Sequence, residues 1–140
     1  MPSDIEYAIT NVHLDPPGLT ITKWHHALVN IEGDVTLTFG TQQLSLNSIT
    51  FIELSENLRG WQAGGMDKPF TYDSMNDEDR GLFHIMPEDG LFQFLDREGS
   101  CLHTTGYSRT AVESFISEFQ DATREAVKAS LDINLTLLKP

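Results

Sequence analysis

Cys101 and His103 come closest in type and spacing to a catalytic or metal-binding pair. Two residues apart on an extended chain, their side chains share a face, and His84 could join them from a neighbouring strand. A thiol beside an imidazole can act as a nucleophile, and three such ligands can hold zinc. The chain shows no paired ligand spacing of the zinc type, and the adjacent His25 and His26 would point to opposite faces if extended. We interpret Cys101 as a half-buried cysteine beside a surface histidine.

The acidic segment 73–81 suggests a calcium loop, but the positions do not fit. An EF-hand needs oxygen ligands at its first, third and fifth positions, glycine at the sixth and glutamate at the twelfth. With Gly81 at the sixth position, Arg80 falls at the fifth and Pro87 at the twelfth. The chain also contains no G-x-S-x-G motif and no phosphate-binding glycine loop. We therefore expect no catalytic residues, no metal and no cofactor.

The charge of the chain is the strongest indication of a partner. The formal net charge is −12, and residues 73–98 hold eight acidic residues against two arginines, which is half of that charge. A field of this sign repels nucleic acid and anionic membranes and attracts basic proteins. We expect a basic protein partner, no nucleic acid and no membrane. The candidate partner-binding residues are Asp73, Asp77, Glu78, Asp79, Glu88 and Asp89.

The first third of the chain is predicted to form strands. Ile5, Tyr7 and Ile9 alternate with polar residues, as a half-buried strand requires. The further predicted strands are residues 28–31, 35–39 and 42–46. The short glycine-containing link at Gly33 predicts a hairpin between the first two of these.

A mid-chain helix is predicted from apolar residues spaced three or four apart. That stripe consists of Phe51, Leu54, Leu58 and Trp61. Asn47 or Ser48 is the expected N-cap, and Gly60 or the pair Gly64-Gly65 is expected to end the helix. Trp61 fits the buried stripe, whereas Trp24 lies in a polar context that is compatible with a role at an interface.

Short strands and a long helix are predicted in the second half. The predicted strands are residues 70–72, 81–86, 91–95 and 101–105. Residues 87–90, with proline at the first central position and glycine at the last, match a type I turn. Residues 110–113 match a capping box at the start of an amphipathic helix. The alternating tail at 133–137 predicts an edge strand or a segment that attaches to a neighbouring molecule.

The order of these elements predicts an α+β fold. We expect a curved antiparallel sheet, a meander, with the mid-chain helix and the long C-terminal helix packed on it. The length of 140 residues suits a single domain spanning residues 1–140. A single cysteine, and no signal-peptide pattern over residues 1–6, predict a cytoplasmic protein.

In layout, the chain resembles the small acidic immunity proteins of bacterial polymorphic and contact-dependent toxin systems. The resemblance rests on the strand-rich start, the helix through Leu58 and Trp61, the segment 70–75, the hairpin segments 81–85 and 91–94, and the closing helix. It implies a non-catalytic protein that binds a cognate toxin, often a basic nuclease, and blocks it stoichiometrically. The resemblance carries no invariant motif, so the candidate site rests on charge.

Two other functions remain open from the sequence. Cytosolic secretion chaperones are also small, acidic and α+β, but they usually open with an amphipathic helix, whereas this chain opens with the alternation of a strand. A small enzyme with a dispersed site at Cys101, His84 and His103 is the third alternative. The sequence leaves the oligomeric state open.

Overall fold

The computed structural model describes residues 5–73, 81–103 and 105–139, and these form an α+β fold. The strands are β1 (Glu6–Leu14), β2 (Ile31–Phe39), β3 (Gln42–Ile49), β4 (Phe70–Tyr72), β5 (Phe83–Glu88) and β6 (Leu91–Leu95). The helices are α1 (Trp24–Asn30), α2 (Phe51–Ala63), α3 (Arg109–Leu131) and α4 (Leu135–Leu138). The predicted fold class and the predicted long C-terminal helix are confirmed. No helix in these described ranges combines the length and hydropathy needed to cross a bilayer.

The strands form two antiparallel sheets, where a single curved sheet was predicted. The first sheet has the order β1-β2-β3 and the second has the order β4-β5-β6. Strands that are consecutive in the chain are neighbours in both sheets, so the predicted meander connectivity is present within each one. The helix α2 follows β3 and carries the chain away from the outer edge of that strand. The next strand therefore begins a second sheet.

The predicted hairpin at Gly33 is wrong, because β2 runs through that glycine without a turn. Gly33 lies opposite Ile49 of β3, and the register shifts between Gly33 and Val35, which marks a bulge. A Cβ on Gly33 would lie 3.0 Å from the ring of Phe51 and 3.2 Å from the carbonyl oxygen of Thr10. Glycine at this position therefore lets α2 approach the first sheet closely.

Residues 28–30, predicted as part of a strand, lie in α1. Ala27 is fully buried, and α1 contacts α2, α4 and β2. Lys23 occupies the N-cap without a capping side chain, so the sequence carries no start signal for this helix. Tertiary contacts thus override the strand preference of the apolar run.

The N-cap of α2 is Thr50, not the predicted Asn47 or Ser48. The Thr50 hydroxyl donates to the Glu53 carboxylate at 2.8 Å, and both side chains are buried. Gly64 ends the helix, as predicted. The buried residues of α2 include Phe51, Leu54 and Leu58 of the predicted stripe, and Trp61 packs partly buried against the same core.

The second sheet contains the predicted strands at 70–72 and 91–95, but the turn between β5 and β6 differs from the type I prediction. Glu88 pairs with Leu91, which leaves a two-residue loop of Asp89 and Gly90 with φ angles of +52° and +80°. Two positive φ angles are typical of a type I′ turn, whose twist matches that of the flanking strands. The strand predicted at 101–105 is absent over its described residues, where Cys101 forms an isolated bridge with Leu95.

The helix α3 begins two residues earlier than the predicted capping box. Ser108 is the N-cap, and its hydroxyl accepts from the amide of Ala111 at 3.1 Å. The predicted edge strand in the tail is wrong, because α4 forms there and buries Leu135 while Leu137 remains exposed.

The core lies between the two sheets and is closed by α2 and α3. The rings of Phe39 in β2 and Phe94 in β6 are 5.1 Å apart, so the sheets contact each other directly. Phe115 of α3 packs edge-on against both Tyr7 and Phe94, with centroids at 6.1 and 6.2 Å. The helix α2 likewise contacts β2 and β4. Each of these helices therefore packs against both sheets.

Candidate functional site

The second sheet turns one face to the core and the other face outward. Ile85, Phe92 and Phe94 are buried and point inward. Since side chains alternate along a strand and paired residues share a face, Met86, Glu88, Leu91 and Gln93 point outward. No helix covers this outward face in the described ranges.

Two apolar side chains are exposed on that face near the β5–β6 turn. Met86 is 39% exposed and Leu91 is 40% exposed. Exposed methionine and leucine close together provide apolar contact area of the kind found at the centre of protein interfaces. These two residues were not predicted from the sequence, because the hairpin was considered only for its acidic residues. Their alternation with buried Ile85 and Phe92 is the sequence pattern that could have indicated their exposure.

Carboxylates surround these apolar side chains at the turn. Glu88 and Asp89 are exposed, and Asp67 lines the same shallow groove. None of the three has an ion-pair partner in the part of the chain that the structure describes. Arg109 borders the groove, but its guanidinium donates to the Gly65 carbonyl at 3.1 Å and lies 5.6 Å from the centroid of the Phe92 ring. We call Met86, Glu88, Asp89, Leu91 and Asp67 the hairpin tip.

Asp73, another predicted partner-binding residue, lies at the opposite end of the second sheet. It follows Tyr72, which pairs with Phe83 at the start of β5, whereas Glu88 is at the end of β5. Five residues of strand separate the two ends by about 17 Å. The Asp73 carboxylate accepts from the amide of Gly81 at 2.6 Å and so joins the two chain segments there. The structure does not bring Asp73 together with Glu88 and Asp89.

A second carboxylate at the Asp73 end also serves the backbone. One oxygen of Asp96 accepts from the amides of Glu98 and Ser100 at 3.1 and 2.8 Å. Asp73 and Asp96 at this end therefore bond to backbone amides, whereas Glu88 and Asp89 at the hairpin tip are exposed. The remaining predicted binding residues, Asp77, Glu78 and Asp79, lie outside the described residues.

His84 and Cys101 are separated by an intervening strand. His84 pairs with Leu95, and Leu95 bridges to Cys101, so the two lie two strand spacings apart, about 10 Å. The imidazole Nδ1 of His84 is 3.0 Å from the Thr71 hydroxyl. The Cys101 thiol is exposed and donates to the Gln93 side-chain oxygen at 3.1 Å. These contacts do not join His84 to the thiol.

His103 has backbone partners on both ring nitrogens. Its Nε2 accepts from the amide of Phe94 at 2.8 Å, which requires this nitrogen to be unprotonated. Its Nδ1 therefore carries the proton and donates to the carbonyl of Thr105. Burial lowers the pKa of His103 below its ordinary value of 6.5, although the bond to Thr105 acts in the opposite direction. The neutral ring links Thr105 to Phe94 of β6 and has no nitrogen left to activate Cys101.

The pKa of His103 predicts a loss of stability in mild acid. Because the pKa is lower in the folded state, the unfolded chain binds a proton first as the pH falls below 6.5. The free energy of unfolding should therefore be independent of His103 above this pH and should decrease as the pH falls toward the folded-state pKa. Urea titrations at several pH values between about 7 and 5.5 would measure the slope of the free energy of unfolding against pH.

A glutamine variant tests this assignment. His103→Gln should flatten the slope of the free energy of unfolding against pH relative to wild type. The slope, not the absolute stability, is compared, because glutamine also alters the bonds that His103 makes. Equal slopes in wild type and His103→Gln would refute the assignment.

The remaining ligand candidates do not gather into a metal site. His25 and His26 lie in α1 and not on an extended segment, and their rings are 4.2 Å apart. Over residues 5–73, 81–103 and 105–139, no three His, Cys, Asp or Glu side chains are placed to hold a metal ion. Trp24 is half-buried, and the ammonium of Lys139 lies 5.5 Å from the centroid of its ring.

Comparison of the chain with protein-family models, with curated proteins and with solved structures found no match.

Proposed function

We propose that this chain is a non-catalytic binder of a basic protein, and that it acts as an immunity protein that neutralises a cognate bacterial toxin. The observation that carries the proposal is the hairpin tip. There, exposed Met86, Glu88 and Leu91 point outward from the second sheet, and Asp67, Glu88, Asp89 and Leu91 line one shallow groove. We place the proposed binding site at this end of the β5–β6 hairpin.

The hairpin tip combines the two contributions that protein association needs. Carboxylates without ion-pair partners attract a basic surface from a distance and raise the rate of encounter. Apolar side chains at the centre of the patch then lose water on contact and slow dissociation. The net charge of −12 strengthens the attraction beyond the local contacts. A basic toxin domain, such as a nuclease, has the complementary charge.

The hydrogen bonds of His103 favour inhibition by binding over the enzyme alternative. A thiol nucleophile needs a neighbouring base or cation. Both nitrogens of His103 are engaged with backbone groups, and His84 is a strand away from Cys101. The chaperone alternative gains no support, since the first element of the described chain is the strand β1.

Charge removal at the hairpin tip is expected to slow association with the toxin. The variant Glu88→Lys with Asp89→Asn changes the charge by three units, and asparagine accepts the positive φ of residue 89. We expect the association rate constant to fall by about tenfold at low salt, because steering depends on local charge. Surface plasmon resonance against the toxin domain encoded beside this chain would measure it.

A matched variant separates local from overall charge. Glu6→Lys with Glu125→Gln changes the net charge by the same amount at exposed positions in β1 and α3, and it should retain most of the wild-type rate. Met86→Ala should instead increase the dissociation rate. A hairpin-tip variant that associates as fast as wild type would remove the hairpin tip from the interface. Failure of the wild-type chain to bind or neutralise that toxin would refute the proposed function.

A further inference from the structure

A cavity of about 330 Å³ opens among the four helices. Its apolar wall includes Trp24 of α1, Ile52 of α2 and Leu135 of α4. It lies beside residues 120–124 of α3, whereas Arg109 at the start of α3 borders the hairpin tip. Eleven residues of helix place the two sites about 16 Å apart. The volume is at the lower end of the range for sites that bind small molecules.

The cavity contains a buried hydroxyl with no hydrogen-bond partner among the described residues. Thr123 is 2% exposed, lines the cavity, and its Oγ1 bonds to no residue that the structure describes. A buried polar atom of this kind costs free energy unless something else bonds to it. Ser55 of α2 is 4% exposed and lines the same cavity. Buried hydroxyl-bearing side chains beside the apolar Trp24, Ile52 and Leu135 are typical of a site that orients a polar ligand group.

Two cationic side chains line the cavity, and each is held in an exposed ion pair. Arg124 pairs with Asp121, and Lys139 contacts Glu56 at 2.8 Å. Exposed pairs of this kind are weak, so the guanidinium and the ammonium can turn from these carboxylates to a ligand at low cost. The two cations favour an anion in the cavity.

We propose that this cavity binds a small carboxylic acid with a short apolar body. The Thr123 hydroxyl donates to a carboxylate oxygen, and Lys139 and Arg124 supply the complementary charge. Trp24, Ile52 and Leu135 cover the apolar body. This site is separate from the hairpin tip, and binding there does not depend on the proposed toxin partner.

Hexanoate is a suitable probe, and the two tryptophans provide an internal control. Trp24 lines the cavity, whereas the indole Nε1 of Trp61 donates to the Lys68 carbonyl at 2.7 Å. In ¹H–¹⁵N spectra of the full chain, hexanoate should shift the Trp24 indole signal in a saturable way and leave that of Trp61 in place. Hexan-1-ol should bind about tenfold more weakly, because a hydrogen bond to a charged group is stronger than one to a neutral group. Hexylammonium should not bind.

Substitutions in the cavity distinguish binding of hexanoate at this site from non-specific binding elsewhere on the protein. Thr123→Val keeps the shape and removes the hydroxyl, so hexanoate should bind about tenfold more weakly, whereas Thr123→Ser should retain binding. Lys139→Gln should also weaken binding, and Lys128→Gln, at an exposed lysine outside the cavity, should not. An unchanged Trp61 signal in each variant verifies the fold. Equal binding of hexanol and hexanoate, shifts at both indoles, or no shift at Trp24 would each overturn the proposal.

Discussion

Replacing Phe119 with alanine is expected to lower the free energy of unfolding by about 3–4 kcal/mol. Phe119 is fully buried beneath α3, where its ring packs against Tyr7 at 5.9 Å and Phe115 at 5.8 Å between centroids. Alanine would remove the apolar contact and leave a cavity that helix and strand, held by their other contacts, fill only in part. Equilibrium urea unfolding, followed by far-ultraviolet circular dichroism, would measure the loss.

The matched control is Glu125→Ala on the exposed side of the same helix. It removes a side chain of similar length without opening a cavity, and it should change the free energy of unfolding by less than about 0.5 kcal/mol. If Phe119→Ala unfolds at the same urea concentration as Glu125→Ala, α3 does not pack on β1 as described.

Valine at position 33 is expected to destabilise the fold by about 2–3 kcal/mol. The Cβ alone would lie 3.0 Å from the ring of Phe51 and 3.2 Å from the Thr10 carbonyl, and the two methyl groups have less room still. Either β2 and α2 move apart or Phe51 leaves its rotamer. Thermal unfolding of Gly33→Val against wild type would show the loss as a lower Tm.

Substitution of another glycine, Gly60 in α2, is expected to stabilise the fold. A Cβ on Gly60 would meet nothing within 4 Å, and the residue is exposed in the helix. Gly60→Ala should therefore raise the free energy of unfolding by about 0.5–1 kcal/mol, since alanine favours the helix. Comparable destabilisation by both substitutions would contradict the close approach of α2 to the first sheet.

Much of the fold was predictable because several elements carry their own local signals. The helix α2 has an apolar stripe and a terminal glycine, and α3 has a stripe that continues for its whole length. The strand β1 shows the alternation of a half-buried strand. These patterns depend only on neighbours along the chain, so they can be recognised without the tertiary structure.

The errors arose where distant contacts decide the local structure. The helix α1 has no capping residue and is stabilised by packing of Ala27 against other elements. The chain passes straight through Gly33 because Phe51, from a later element, occupies the space beside it. The tail at Leu135 is helical because that side chain reaches the core. None of these contacts can be inferred from spacing along the sequence.

The candidate site was predictable only in part for a related reason. Composition identified an acidic segment, but it could not distinguish carboxylates that bond to the backbone, such as Asp73 and Asp96, from exposed ones such as Glu88. The exposure of Met86 and Leu91 depends on which face of the second sheet the helices leave open. The cavity at Thr123 is formed by four helices, of which α1, α2 and α3 are distant from one another in sequence.

Because the outer edge of β3 is open, the negative charge of the protein is important for keeping separate molecules apart in solution. No strand from the described ranges pairs with that edge, and β3 contains neither a charged residue nor a proline, the usual devices that prevent strands of separate molecules from joining. Mutual repulsion between molecules of net charge −12 performs that task instead. The protein should therefore remain dispersed at neutral pH and low salt, and should self-associate through β3 as the pH approaches the isoelectric point near 4.5.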